Sequence, residues 1–180
     1  METNQPSIAG EFLRVIRRDF GKLKDLGEKT MGQLGDKDLH WQPNVESNSI
    51  AIIVKHMSGN MISRWTDFLV TDGEKDDRHR DGEFIDTVKS RDDLMSLWEK
   101  GWRVLFDTLT HLKEEDLLKT IYIRGEPHSV IQAIQRQVTH YAYHVGQMVY
   151  IGKLIKSSTW RSLSIPRGQS EEYKRKKEQR

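Results

Sequence analysis

The chain has 180 residues, 36% of them apolar and 31% charged, which is enough for one domain with a single sizeable core. It holds no cysteine, which excludes disulfides, a thiolate metal site and a protein thiol nucleophile, and fits a cytoplasmic setting. The last ten residues, EEYKRKKEQR, carry five basic and three acidic groups, so the net charge of +2 sits at the tip; a balanced body argues against a nucleic-acid surface.

In chain order, METNQPSIAGEF lacks the apolar core of a signal peptide, and no later run approaches the ~18–20 apolar residues that cross a bilayer. No membrane partner is expected. Residues 7–31 read as an amphipathic helix, with Ile8, Phe12, Val15, Ile16, Phe20, Leu23 and Leu26 at helical spacing. Gly32 and Gly35 end it, and DKDLHWQPNVESNS connects it to a second helix capped within Ser47–Ser49. The second stripe is Ile50, Ile53, Val54, Met57, Met61, Trp65 and Phe68. Residues 71–83, TDGEKDDRHRDGE, read as a charged loop. Ser90 with Asp93 gives a start of capping-box type to a third helix, cored by Leu94, Leu97, Trp98, Leu105 and Leu109. Ile121 and Ile123 alternate around Tyr122 into a Gly turn, which predicts a short strand or hairpin. Residues 129–156 form a fourth helix, apolar over most of its circumference and therefore internal.

These elements predict an all-α fold, an antiparallel four-helix bundle over residues 1–156 with a short hairpin before the last helix. Residues 157–180 form a tail whose Trp160, Leu163 and Ile165 can dock on the bundle, with a solvated and partly disordered basic tip. The tail either closes over a pocket or crosses to a second subunit, or is an edge segment that covers exposed core. QLGDKDL (33–39) and HLKEEDL (111–117) form a faint repeat, read either as pseudo-symmetric hairpins or as two similar helical turns.

Chemistry concentrates in THYAYHVGQ, residues 139–147. His140 and His144 are four apart, on one helix face with Cβ atoms ~5–6 Å apart, so both can reach one metal ion. Seven histidines make such a pair common by chance, and spacing alone allows a core histidine beside a surface one. The face is otherwise lined by Ala133, Ile151 and Leu154, where an unpartnered imidazole is costly. His56 lies on the flank of the second helix with Asn60, Ser63 and Asp67, and is either a third ligand or a boundary histidine. Asn60, Gln147 and Arg136 each lie one turn from a histidine. Asn60 could orient a ligand, Gln147 could bond an imidazole or substrate, and Arg136 could bind a carboxylate of a peptidic thiol or form a surface ion pair. Tyr143 reads as a packing residue. His40, His79, His111 and His128 have no partner at ligand spacing, and Trp41 sits on a loop.

H-M-S-G-N in the second helix with H-Y-A-Y-H-V-G-Q in the fourth resembles the DinB-like superfamily of metal-binding four-helix bundles, over residues 8–156. That superfamily contains the bacillithiol S-transferase group and the mycothiol-dependent enzymes. The ending WRSLSIPRGQSEEY is similar to an uncharacterised bacterial subfamily of it. The resemblance implies a bundle of DinB type, a divalent metal held by His56, His140 and His144, and a homodimer. Three imidazoles suit zinc or nickel, and also iron. They leave a coordination position open, which can hold a thiol as thiolate or a water of lowered pKa. The first gives thiol transfer to a small electrophile, the second a hydrolase; a metal-binding protein without catalysis is the third reading. With no cysteine in the chain, the thiol comes from a low-molecular-weight cosubstrate.

Overall fold

The computed structural model describes residue 5 and residues 7–178. In chain order the elements are α1 (Ile8–Met31), the single turn α2 (Asp36–Leu39), α3 (Ile50–Trp65), α4 (Arg91–His111), strands β1 (Thr120–Ile123) and β2 (Glu126–Ser129), α5 (Val130–Lys156) and α6 (Ser170–Glu178). The molecule is mostly helical. α3 packs chiefly on α4 and α1 on α5; α3 with α5 and α1 with α4 complete the contacts around the core. No helix among the described residues is long and apolar enough to cross a membrane.

Serine starts all four long helices. Ser7, Ser49, Ser90 and Ser129 each accept a hydrogen bond from the backbone N–H three residues on, at 2.9 to 3.2 Å. Each satisfies one of the donors that a helix start leaves free, typically worth ~1 kcal/mol. At Ser129 the bond is reciprocated, because Gln132 Oε1 accepts from the Ser129 N–H at 2.8 Å. The two repeat segments share a similar device: Asp38 accepts from the Gly35 N–H and Asp116 from the Lys113 N–H, both at 2.8 Å.

The core is aromatic at its centre. Phe20, Trp65, Trp102 and Tyr141 meet edge-on or tilted, with ring centroids 5.9 to 6.3 Å apart. Trp98 joins at 5.4 Å from Trp102. Two positions of the predicted stripes depart from it. Ile8 is 93% exposed, at the overhanging first turn of α1. Phe68 is buried but outside α3, which ends at Trp65. There Thr108 Oγ1 donates to the Trp65 carbonyl at 2.7 Å, and Asp67 takes a φ of 49°, so Asp67 does not continue the flank of His56 and Asn60.

β1 and β2 pair from Thr120↔Ser129 to Ile123↔Glu126, leaving Arg124 and Gly125 as a two-residue loop. Both have positive φ, 57° and 74°, as the tight hairpin turn matched to strand twist requires. Arginine is an unusual choice at its first position. Asp72 steadies it by accepting the N–H groups of Arg124 and Gly125 at 2.8 and 2.7 Å.

In the tail, Trp160 lies against Gly152 of α5. Gln33 of α1's exit exchanges two hydrogen bonds with the Arg161 backbone, at 3.1 and 2.9 Å. Leu163 is half-buried and Ile165 is 43% exposed. The basic tip, expected to be partly disordered, is helical and exposed through residue 178; residues 179–180 lie outside the described residues.

Candidate metal centre

α3 carries His56, Asn60 and Arg64 at successive four-residue steps, so the three share one helix face. α5 turns His140 and His144 toward it. The Nε2 atom of His140 lies 3.3 Å from that of His56 and 3.2 Å from that of His144. All three can offer one ligand atom within 4.8 Å of the others. Nitrogens held ~2.0–2.1 Å from one tetrahedral ion would stand about 3.3 Å apart.

The far side of two rings fixes their protons. His56 Nδ1 lies 2.9 Å from Glu83 Oε2, an acceptor only, so this nitrogen donates. His144 Nδ1 donates to Gln147 Oε1 at 3.0 Å. As neutral rings in these tautomers, both would present a bare Nε2 lone pair to His140, which has one Nε2 proton at most and can satisfy only one of them. Protonating His140 or His144 is opposed by their surroundings. Burial, followed by the neighbouring imidazoles, holds His140 down to about 3, and burial holds His144 down to about 4 despite its bond to Gln147. A shared cation resolves the conflict. The three residues thus fit a divalent metal, as three neutral nitrogen donors.

The loop between α3 and α4 builds the wall behind His56. Glu83 is buried and receives Arg78 Nε and Nη2, both at 2.8 Å. Burial would raise its carboxyl, but the bonds from Arg78 and His56 outweigh this and hold it below the usual carboxylate range. Phe84 stacks on the His56 ring at 4.7 Å, and the Arg80 guanidinium covers Phe84 at 5.3 Å. Residues 71–83, read as a charged loop, thus contribute two buried charged side chains, because Arg78 and Glu83 neutralise each other against α3. Gly59 makes this possible: a Cβ there would lie 2.8 Å from Glu83 Cδ. A glycine three residues after His56, inside a helix, is the signal in the sequence that could have disclosed this close approach.

Asn60 Oδ1 accepts from the Tyr141 hydroxyl at 2.9 Å, and Tyr141 accepts from Trp65 Nε1 at 3.1 Å. That leaves the Asn60 amide NH2 to serve the cavity it lines. Gln147 orients His144 and lines the same cavity. Arg136 is exposed at its edge and pairs with no carboxylate among the described residues. Tyr143, expected to pack, is 51% exposed with its ring 4.2 Å from that of His144. His40 bonds Asp86, while His111 and His128 bond backbone carbonyls; none of them lines the cavity, and neither does Trp41.

The cavity beside the histidines measures about 420 Å³. Asn48, Tyr143 and Gln147 also line a second, more apolar groove of about 520 Å³ that runs along α5 past Tyr150, Ile151 and Leu154. Among the described residues, none beyond Leu154 lines either one.

Fold and site together define a helical protein with a three-histidine cluster able to hold a metal ion, open to a cavity of small-molecule size. Residues 7–169 match the family described as "Protein of unknown function (DUF1572)", and the chain belongs to that family. No curated protein matches it.

Proposed function

We propose that the protein is a metal-dependent enzyme of the DinB-like superfamily, an antiparallel four-helix bundle that transfers a low-molecular-weight thiol to a small electrophile. The observation that carries this reading is the convergence of three Nε2 atoms at 3.2 to 3.3 Å, with two of their protons fixed on the far side of the rings. His56, His140 and His144 would hold a divalent ion, zinc or nickel by their chemistry, which supplies Lewis-acid activation of a thiol at its open position.

The remaining work falls to the chain's own residues. Glu83 and Gln147 keep their imidazoles in the ligating tautomer and hold the ring planes. Asn60 and Tyr143 line the mouth, where they can position the bound partners. Transfer between two molecules is favoured over hydrolysis by the second groove. A cavity lined by polar and charged groups meets an apolar one beside the histidines, which suits two different substrates. Glu83, the buried carboxylate at the site, is already engaged by Arg78 and His56 and is poorly placed to activate water.

The test is metal content of the purified protein beside His56→Ala and His144→Ala, followed by conjugation and hydrolysis assays. We expect about one metal per chain, lost in both variants, and thiol-dependent conjugation of a generic electrophile. Full metal retention in both variants would refute the centre. Ester or amide hydrolysis without thiol, and no conjugation, would replace the transferase by a hydrolase.

A further inference from the structure

The cavity beside the histidines is lined by five arginines, Arg64, Arg78, Arg80, Arg124 and Arg136, from α3, the loop, the hairpin turn and α5. Few carboxylates oppose them. Glu83 is taken by Arg78 and His56. Glu74 is shared three ways, with Arg64 Nη2 at 3.0 Å, Arg78 Nη1 at 3.2 Å and Arg124 Nε at 3.0 Å. Asp72 is occupied by backbone N–H groups. Arg80 has only the Phe84 ring beneath it, and Arg136 pairs with no carboxylate among the described residues.

Arg64 is the most informative. Its side chain is 4% exposed, yet Nε and Nη1 are buried without any hydrogen-bond partner. An unpaired guanidinium edge is expensive to bury. The nearby backbone does not supply the missing acceptor; Nη1 lies close to Gly73, at a distance where a Cβ would already crowd it. Arg124, for its part, occupies a left-handed turn position that other residues fill more easily, which places a cation at the cavity edge.

We infer that this end of the cavity is an oxyanion subsite, in which Arg124 and Arg136 receive a carboxylate or phosphate carried by one substrate, with the buried charge of Arg64 behind them. This deepens the proposed function by giving the charge of one reactant. Arg136 is one helical turn from His140 and Arg64 two turns from His56, so the anion lies roughly 6–12 Å along the helices from the histidines. A substrate with its oxyanion at that remove from the reacting atom is anchored at one end and reacts at the other.

The test uses metal-free full-length protein, so the result does not depend on the three-histidine centre. Inorganic phosphate and succinate are titrated calorimetrically at constant ionic strength into wild type, Arg124→Gln, Arg136→Gln and, as a control on α4, Arg103→Gln. These are exposed positions, which spares the test from the folding risk of Arg64→Gln. Expected is saturable binding of at least one anion, weakened roughly tenfold by each cavity variant and unchanged by the control. The tighter anion identifies phosphate or carboxylate as the source. Equal affinity in all four proteins, or no saturable binding of either anion, overturns the subsite. A separate zinc titration of the wild type reads the centre on its own: no zinc binding beside intact anion binding would sink the metal centre and leave the subsite standing.

Discussion

Glu83 holds two partners at once, the Nδ1–H of His56 and the fork of Arg78, and its substitution separates charge from shape. Glu83→Gln keeps an acceptor for His56 but removes the negative charge. Metal affinity should fall about ten- to hundredfold, measured by competition with a chromophoric chelator, while the circular dichroism spectrum stays unchanged. An unaltered affinity would mean that His56 needs no orienting partner. The histidines also set an acid limit for the metal-free protein. His140 and His144 have ordinary values of 6.5 but sit at about 3 and about 4 in the fold. Between these values the unfolded chain binds more protons, so stability falls as pH drops from 6.5 toward 4. Glu83, held low in the fold, adds a loss further down, as pH falls through its folded value. Urea midpoints across this range should decline from pH 6.5, and should flatten between 6.5 and 4 in the double variant His140→Ala/His144→Ala. A wild-type midpoint constant over that range would contradict the buried neutral histidines.

At the scale of elements, α3 and the loop after it are fitted to each other at Gly59. Glycine inside a helix ordinarily loses ~1 kcal/mol against alanine, so Gly59→Ala should stabilise α3 taken alone. Here the added methyl would displace Glu83, and the expected result reverses: lower stability in denaturant titration and weaker metal binding, with helix content kept. A stabilised variant with normal metal affinity would show that the loop yields freely. The same pair marks the boundary of what the sequence discloses. The four long helices, the serine starts of the last three, the hairpin and the His140–His144 pair follow from spacing, because helix period and i,i+4 faces are local properties; His56 joins that pair only through the family resemblance. Glu83, Arg78 and Arg64 do not. Their roles depend on a loop folding back across 27 residues to His56 and on Glu74 being shared, and in the sequence they read only as alternating charge. Trp65 was legible as core, but its hydrogen bond to Tyr141, and that of Tyr141 to Asn60, required the packing of α3 on α5.

For the molecule as a whole, the tail is fastened away from the site: Trp160 and Arg161 hold it at Gly152 and Gln33, while among the described residues the last to line a cavity are Gln147 beside the histidines and Leu154 in the second groove. Truncation after Ser157 should therefore cost roughly 1–2 kcal/mol of stability, for the partly buried Trp160, and leave metal stoichiometry unchanged. Loss of metal on truncation would place the tail in the centre after all. The loop that backs His56 differs in kind, since Asp72 ties it to the hairpin turn, Glu74 to Arg64 and Glu83 to α3. Those ties make its backbone a timing device. While the loop is closed, Glu83 holds the His56 ring in place; when it opens, His56, one of the three proposed ligands, would be freed. Metal escape and amide hydrogen exchange in residues 72–84 would then share one opening event, and the slowest-exchanging amides there would set the residence time of the ion.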